Sequence, residues 1–128
     1  MRIERFEDIE VWKLARDLCN HVFKLTMEEP FCSDFRFRDQ IRASSGSVTD
    51  NIAEGFERGG SKEFIQFLFI AKGSCGEVRS QGYRAYDNGY ISEDTFDGLL
   101  NMTINLSKRI SGFITYLNSS DFKGQKYQ

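Results

Sequence analysis

SVTDNIAEGFERGGSKEFIQFLFIAKGSCGE, residues Ser47 to Glu77, carries a helical pattern into a Gly-Gly break and restarts it at once in a helix with almost no polar face. Within FIQFLFIA, Phe64 to Ala71, only Gln66 is polar. At about 100° per residue, Phe64, Phe67, Leu68, Ala71, Cys75 and Val78 share one face. Ile65, Phe69 and Tyr83 lie on its flank, and Ile70 points nearly opposite it. A helix that is apolar on most sides must be covered on most sides. The rest of the chain offers few segments to do this. A partner subunit is therefore expected, with Ile65, Phe69, Ile70 and Tyr83 as the oligomer contacts.

Three further helices flank this one. The first is expected from about Phe6 to Met27, with Ile9, Trp12, Ala15, Cys19, Val22 and Phe23 on one stripe. Pro30, the one proline, marks its exit because proline lacks the N–H and disfavours helix before it. The second begins near Asp34 and carries Ile41, Ser45, Val48, Ile52 and Phe56 at helical spacing. Gly59-Gly60 ends it, and Ser61 is the expected N-cap of the third helix, with Glu63 near its positive end. Asn88-Gly89 supplies a left-handed stop. Ser92, followed by Glu93 and Asp94, opens the fourth helix, along which Phe96, Leu99, Thr103, Leu106, Ile110, Phe113 and Leu117 form the stripe. Short links between helices of similar length imply an all-α, antiparallel up-down-up-down four-helix bundle. It is expected to span residues 1–118, with 119–128 a polar tail, frayed or disordered.

Bulk properties exclude several classes. A chain of 128 residues fits one domain. Its net charge of −2 exerts no general pull on nucleic acid or acidic lipid. The three cysteines show no CxxC or zinc-type spacing, which suits a reducing cytosol. The N-terminus is charged, so no signal peptide is visible, and no apolar run is long enough to span a bilayer. A cytoplasmic location is expected.

Gly46, Gly73, Gly76, Gly82, Gly98 and Gly112 fall inside these helices. At roughly 1 kcal/mol each relative to alanine, they cost about 6 kcal/mol together. Close backbone approach between helices is the simplest offset, aided by the small run ASSGS, Ala43 to Ser47.

No catalytic constellation is visible. The only histidine, His21, has Leu18 rather than an acid three residues before it, so no Glu-x-x-His di-iron motif forms. Ser44, Ser45 and Ser47 have no local histidine, and Gly59-Gly60 lacks the strand and Lys-Ser/Thr of a phosphate loop. No metal, cofactor or catalytic residue is expected. In NIAEGFER, Glu54 and Arg58 have the spacing and order of a helical ion pair, and Asn51 lies one turn before Glu54. Asn51, Glu54, Gly55 and Arg58 are expected to organise the corner between the second and third helices. Arg36, Arg38, Arg42, Arg58, Lys62, Lys72 and Arg79 are the candidate phosphate contacts for RNA or DNA, although Asp34, Asp39, Asp50 and Glu57 are interspersed.

FEDIEVW (Phe6 to Trp12), QIRAS (Gln40 to Ser44), NIAEGFER (Asn51 to Arg58) and SKEFIQFLFIAKGSCGE (Ser61 to Glu77) together resemble the bacterial four-helix-bundle proteins of the 23S rRNA intervening-sequence, or S23, family. The likeness runs from about Phe6 to Leu117. It implies antiparallel bundles associated as barrel-like homopentamers. It also implies relatives among the nucleic-acid-binding accessory proteins of diversity-generating retroelements. Two departures stand out. Thr49-Asp50 replaces a Pro-Ser pair, which leaves the second helix its hydrogen bond. The acidic balance also contrasts with the basic retroelement proteins. The expected role is a non-enzymatic, homo-oligomeric adaptor or scaffold, with nucleic-acid binding as the alternative.

Overall fold

The first helix begins later than its apolar pattern implies. In the computed structural model, which describes residues 3–119, the Asp8 carboxylate accepts from the backbone N–H groups of Glu4 and Arg5, both at 3.2 Å. That local bond competes with helix continuation and closes a 3-10 turn over Phe6–Asp8. Ile9 is extended, and α1 runs Glu10–Leu25. It ends well before Pro30, where the Thr26 hydroxyl donates to the carbonyls of Val22 (2.9 Å) and Phe23 (3.0 Å). Pro30 instead heads a second 3-10 turn, Phe31–Ser33. Of the tail expected over 119–128, residues 120–128 lie outside the described residues.

The buried stripe of α1 is Val11, Ala15, Leu18 and Val22; of the six residues expected, Ile9, Ala15 and Val22 are buried and Trp12, Cys19 and Phe23 are not. Trp12 stands at the rim with Phe6 edge-on to it at 5.1 Å, Cys19 is half-buried, and Phe23 is 51% exposed beneath the Arg42 guanidinium at 4.5 Å. Large rings here are covered by neighbours at the edge, while small and branched side chains fill the centre.

Helix α2 spans Phe35–Glu57 without a break, and Asp34 caps it by accepting from Phe37 N at 3.2 Å. The same carboxylate accepts from the Tyr90 hydroxyl at 2.7 Å, which ties the start of α2 to the turn before α4. The Tyr90 hydroxyl, then the Phe37 N–H, hold the Asp34 carboxyl below its ordinary 3.8. Because the folded state favours the ionised form, this contribution is present above pH 3.8 and fades as pH falls through the lowered value. Tyr90→Phe is expected to move the Asp34 pKa upward toward 3.8, read from its carboxyl resonance in an NMR titration.

Gly59, at φ 84°, ends α2. Helix α3 follows as Ser61–Asp87 with Gly60 at the cap. Ser61 is thus the first helical residue and not the N-cap expected, since the extended backbone falls one residue earlier. At the far end, Tyr90 N donates to Ala85 O at 2.9 Å and Gly89 N to Tyr86 O at 3.0 Å. Gly89 sits at φ 76°. Those bonds are the Schellman arrangement that Asn88-Gly89 announces. Ser92 caps α4, Glu93–Leu117, accepting from Thr95 N at 3.2 Å. Ser92→Ala is expected to cost about 1 kcal/mol in urea unfolding.

Four helices and no strand make up the described residues. Contacts run in order along each neighbouring pair. On α2 and α3, Gly55 meets Phe64 and Phe67, Ser47 meets Ser74, and Gln40 meets Arg84. On α3 and α4, Cys75 meets Thr103 and Gly82 meets Leu99. Helix α1 closes the set through Cys19 to Ser45 on α2 and Glu10 to Arg109 on α4. Leu18, Ile41, Ile52, Phe64, Leu68, Leu106 and Ile110 fill the centre, each at most 1% exposed.

The glycines behave differently from expectation. A Cβ at Gly82 would lie 3.0 Å from Leu99 Cδ2, and one at Gly55 would lie 2.5 Å from Phe67 Cβ. Gly46, Gly73, Gly76, Gly98 and Gly112 have no such neighbour within 4 Å. Close approach within the subunit therefore accounts for Gly82 and for Gly55, which was not among the expected six. Side-chain periodicity shows that a glycine is helical, but not which helix passes over it.

Candidate functional site

The outer face of α3 departs most from an ordinary surface helix. Its inner face is buried through Phe64, Leu68, Ala71, Cys75 and Val78. Opposite this face, Phe69 is 57% exposed, Ile70 52% and Tyr83 49%. Ile65 is only half-exposed and packs against the core. Tyr83 lies edge-on to Phe96 at 4.9 Å, and Tyr86 stacks on the same ring at 4.9 Å. An exposed aromatic cluster thus continues from α3 onto α4. Tyr86 and Phe96 belong to it and were not among the expected contacts. Only the packing of α4 against α3 brings them together. Phe35 and Met27, at 65% and 59%, form separate exposed points near the α1–α2 turn.

The NIAEGFER motif divides in two. Arg58 pairs with Glu54 at 2.9 Å and approaches Glu63 at 3.7 Å, with its guanidinium 5.1 Å from the centre of the Phe67 ring. This arrangement pins the corner between α2 and α3, although exposed pairs of this kind contribute only about 0–1 kcal/mol. Asn51 takes no part in it. Its amide donates to Ser47 O at 2.8 Å and Ser47 Oγ at 2.9 Å, and Ser47 Oγ meets Ser74 Oγ at 2.9 Å. The expected single network is therefore two, because the Asn51 amide is taken up by Ser47 one turn before it, while Glu54 is engaged by Arg58 one turn after it. Gly55 lets that seam close.

The seven basic candidates are not one patch. Arg36, Arg38 and Arg42 lie toward the start of α2, and Arg58 and Lys62 at its far end. At 1.5 Å rise per residue, Arg36 and Arg58 stand about 33 Å apart along the axis. Three are already engaged. Arg38 donates to Asp39 at 3.0 Å and Cys32 O at 3.3 Å. Arg42 donates to Thr26 Oγ1 at 2.7 Å, and Arg58 is held as described. Arg36, Lys62, Lys72 and Arg79 make no ion pair among the described residues.

A cavity of about 440 Å³ lies between the first turn of α1 and the last turns of α4. Ile3, Ile9, Val11 and Phe113 supply apolar wall, and the Glu10–Arg109 pair, 3.0 Å apart, stands at its edge. Its lining holds no histidine, cysteine or hydroxyl nucleophile apart from the Tyr116 phenol. Burial pushes the Cys75 thiol up to about 11, which keeps it a protonated hydrophobe donating to Thr103 O at 3.3 Å. Burial also lowers the pKa of His21, whose Nε2 is enclosed without a hydrogen-bond partner among the described residues. Among the described residues, no group of three or more His, Cys, Asp or Glu converges to hold a metal ion. None of their helices is long and apolar enough to cross a membrane.

These features define an all-α helical protein whose most unusual surface is the exposed apolar face of α3. The profile of the 23S rRNA-intervening sequence proteins matches residues 7–112, and the chain belongs to that family. A crystal structure of a protein of unknown function from the S23 ribosomal protein family of Bacteroides thetaiotaomicron superposes with a TM-score of 0.74 at 20% identity, covering 81% of this chain and 97% of the other. At that identity the likeness concerns the fold. No curated protein matches the sequence.

Proposed function

We propose that the chain is an antiparallel up-down-up-down bundle that acts as a non-enzymatic, homo-oligomeric adaptor or scaffold in the cytoplasm. The observation that carries this reading is the pair of large apolar side chains Phe69 and Ile70, more than half exposed on a helix whose other face is already buried. Leaving that surface wet forgoes roughly 25 cal/mol per Å² of burial, and a second copy is the partner always available. The family likeness implies five chains. Support for the antiparallel course comes from the contact order, in which residues late in α2 meet residues early in α3.

Light scattering across micromolar concentrations tests the reading. A mass several times 14.8 kDa is expected, and a mass of 14.8 kDa throughout defeats it. Native mass spectrometry of the same sample is expected to find no retained metal or small molecule. The alternative, nucleic-acid binding, rests on Arg36, Lys62, Lys72 and Arg79, which make no ion pair among the described residues, repeated around an assembly so that weak contacts add by avidity. It predicts that affinity for structured RNA falls steeply as salt rises, and absence of binding at low salt rejects it.

A further inference from the structure

We infer that the cavity between the start of α1 and the end of α4 is a binding site for a single-chain amphiphilic anion, a hydrocarbon tail carrying one carboxylate. This goes beyond the self-assembly reading and does not rest on it. The cavity opens between α1 and α4, whereas Phe69 and Ile70 stand on α3.

Its volume of about 440 Å³ falls in the range of small-molecule pockets, roughly 300–1,000 Å³. Ile3, Ile9 and Val11, all members of the core, turn hydrocarbon toward it, and Phe113 adds the side of a ring. A hydrocarbon chain that displaces water from such walls is favoured for the same reason that the core forms. Gly112 keeps the space open. It lies within α4, where glycine weakens the helix relative to alanine, and a Cβ there would meet nothing within 4 Å. Close packing within the subunit therefore does not account for it. It does line the cavity, where a side chain would take volume from a ligand.

Charge is placed beside this apolar wall. Lys108 and Arg109 both line the cavity, against the single carboxylate of Glu10. Lys108 makes no ion pair among the described residues. Glu10 holds Arg109 at Nη1, 3.0 Å away, and a guanidinium has five N–H donors in all. The lining thus carries one positive charge in excess, in a chain whose net charge is −2. That excess selects an anionic head over a neutral or cationic one, and a carboxylate matches the planar fork of arginine. One side of the cavity is open to solvent. The ligand accordingly exchanges freely and is lost on purification, so binding is read with ligand in excess.

Calorimetric titration of the full chain with hexanoate, octanoate and decanoate tests this. The dissociation constant is expected to fall by up to about fourfold for each added methylene, the effect of burying one CH₂. Octan-1-ol, of equal length but uncharged, is expected to bind about fivefold more weakly than octanoate. Lys108→Glu, at an exposed position, is expected to weaken octanoate about tenfold and leave octan-1-ol unchanged. Gly112→Leu is expected to abolish binding of all four compounds while circular dichroism keeps the wild-type helical signal. Absence of binding to wild type, or affinity independent of chain length, overturns the proposal. Octan-1-ol binding as tightly as octanoate, or Lys108→Glu leaving octanoate unchanged, overturns the cationic selection of the head. A folded Gly112→Leu that binds octanoate as wild type does overturns the cavity as the site.

Discussion

Gly55→Ala is expected to lower the unfolding free energy by about 3 kcal/mol, the upper part of the usual range for overpacking. The added Cβ would lie 2.5 Å from Phe67 Cβ and 3.1 Å from Phe64 Cδ1. Neither atom is the tip of a flexible chain. Phe67 Cβ is fixed to its backbone, and Phe64 is fully buried and locked edge-on between Phe56 at 5.9 Å and Phe113 at 5.7 Å. Relief requires α2 and α3 to separate, which would pull on the Arg58–Glu54–Glu63 corner and the Ser47–Ser74 contact as well. Urea unfolding followed by circular dichroism measures the loss. Gly98→Ala is the control. With nothing within 4 Å, it is expected to gain up to about 1 kcal/mol from helix propensity alone. Equal behaviour of the two variants would show that the α2–α3 approach at Gly55 is looser than described.

The second large effect is on assembly. Phe69→Glu is expected to leave the subunit folded, because the side chain is 57% exposed and surface changes away from special features usually stay within about 0.5 kcal/mol. The same change places an unpaired carboxylate in the proposed contact, where desolvation is costly. The expected result is a native helical spectrum with a reduced mass. The other outcome, loss of the fold itself, would indicate that Phe69 is covered within its own subunit. An unchanged mass would remove the outer face of α3 from the assembly.

Much of this was legible in the sequence because helices announce themselves locally. The Gly-Gly break, the Ser92 cap and the Asn88-Gly89 stop act through the backbone of their own few residues, and each falls where the pattern places it. The stripe of α2 was equally readable, since its spacing alone selects the buried face; on α4, Leu99, Thr103, Leu106, Ile110 and Leu117 are buried as expected, while Ile114 is buried in addition, Phe113 is only half-buried and Phe96 lies outside the core against Tyr83 and Tyr86. The stripe of α1 was readable only in part, through Ile9, Ala15 and Val22. Trp12 and Phe23 are the most hydrophobic choices by type, yet Phe6 and Arg42 cover them at the rim while Leu18 takes the centre. Those covering partners come from outside the helix, and no periodicity within it reveals them.

The candidate surface divides along the same line. That α3 has more apolar surface than one inner face can use follows from Phe64 to Ala71 alone. That Ile65 is partly withdrawn, that Tyr86 and Phe96 join the exposed cluster, and that Arg38, Arg42 and Arg58 are spent on internal partners required the packed structure. By itself the sequence determined the helices, their breaks and the family, because these depend on neighbours three or four residues away. Only the tertiary structure decided which glycines are pressed, which charges stay unpaired and which aromatic rings remain in water, because each depends on what another helix brings across the gap.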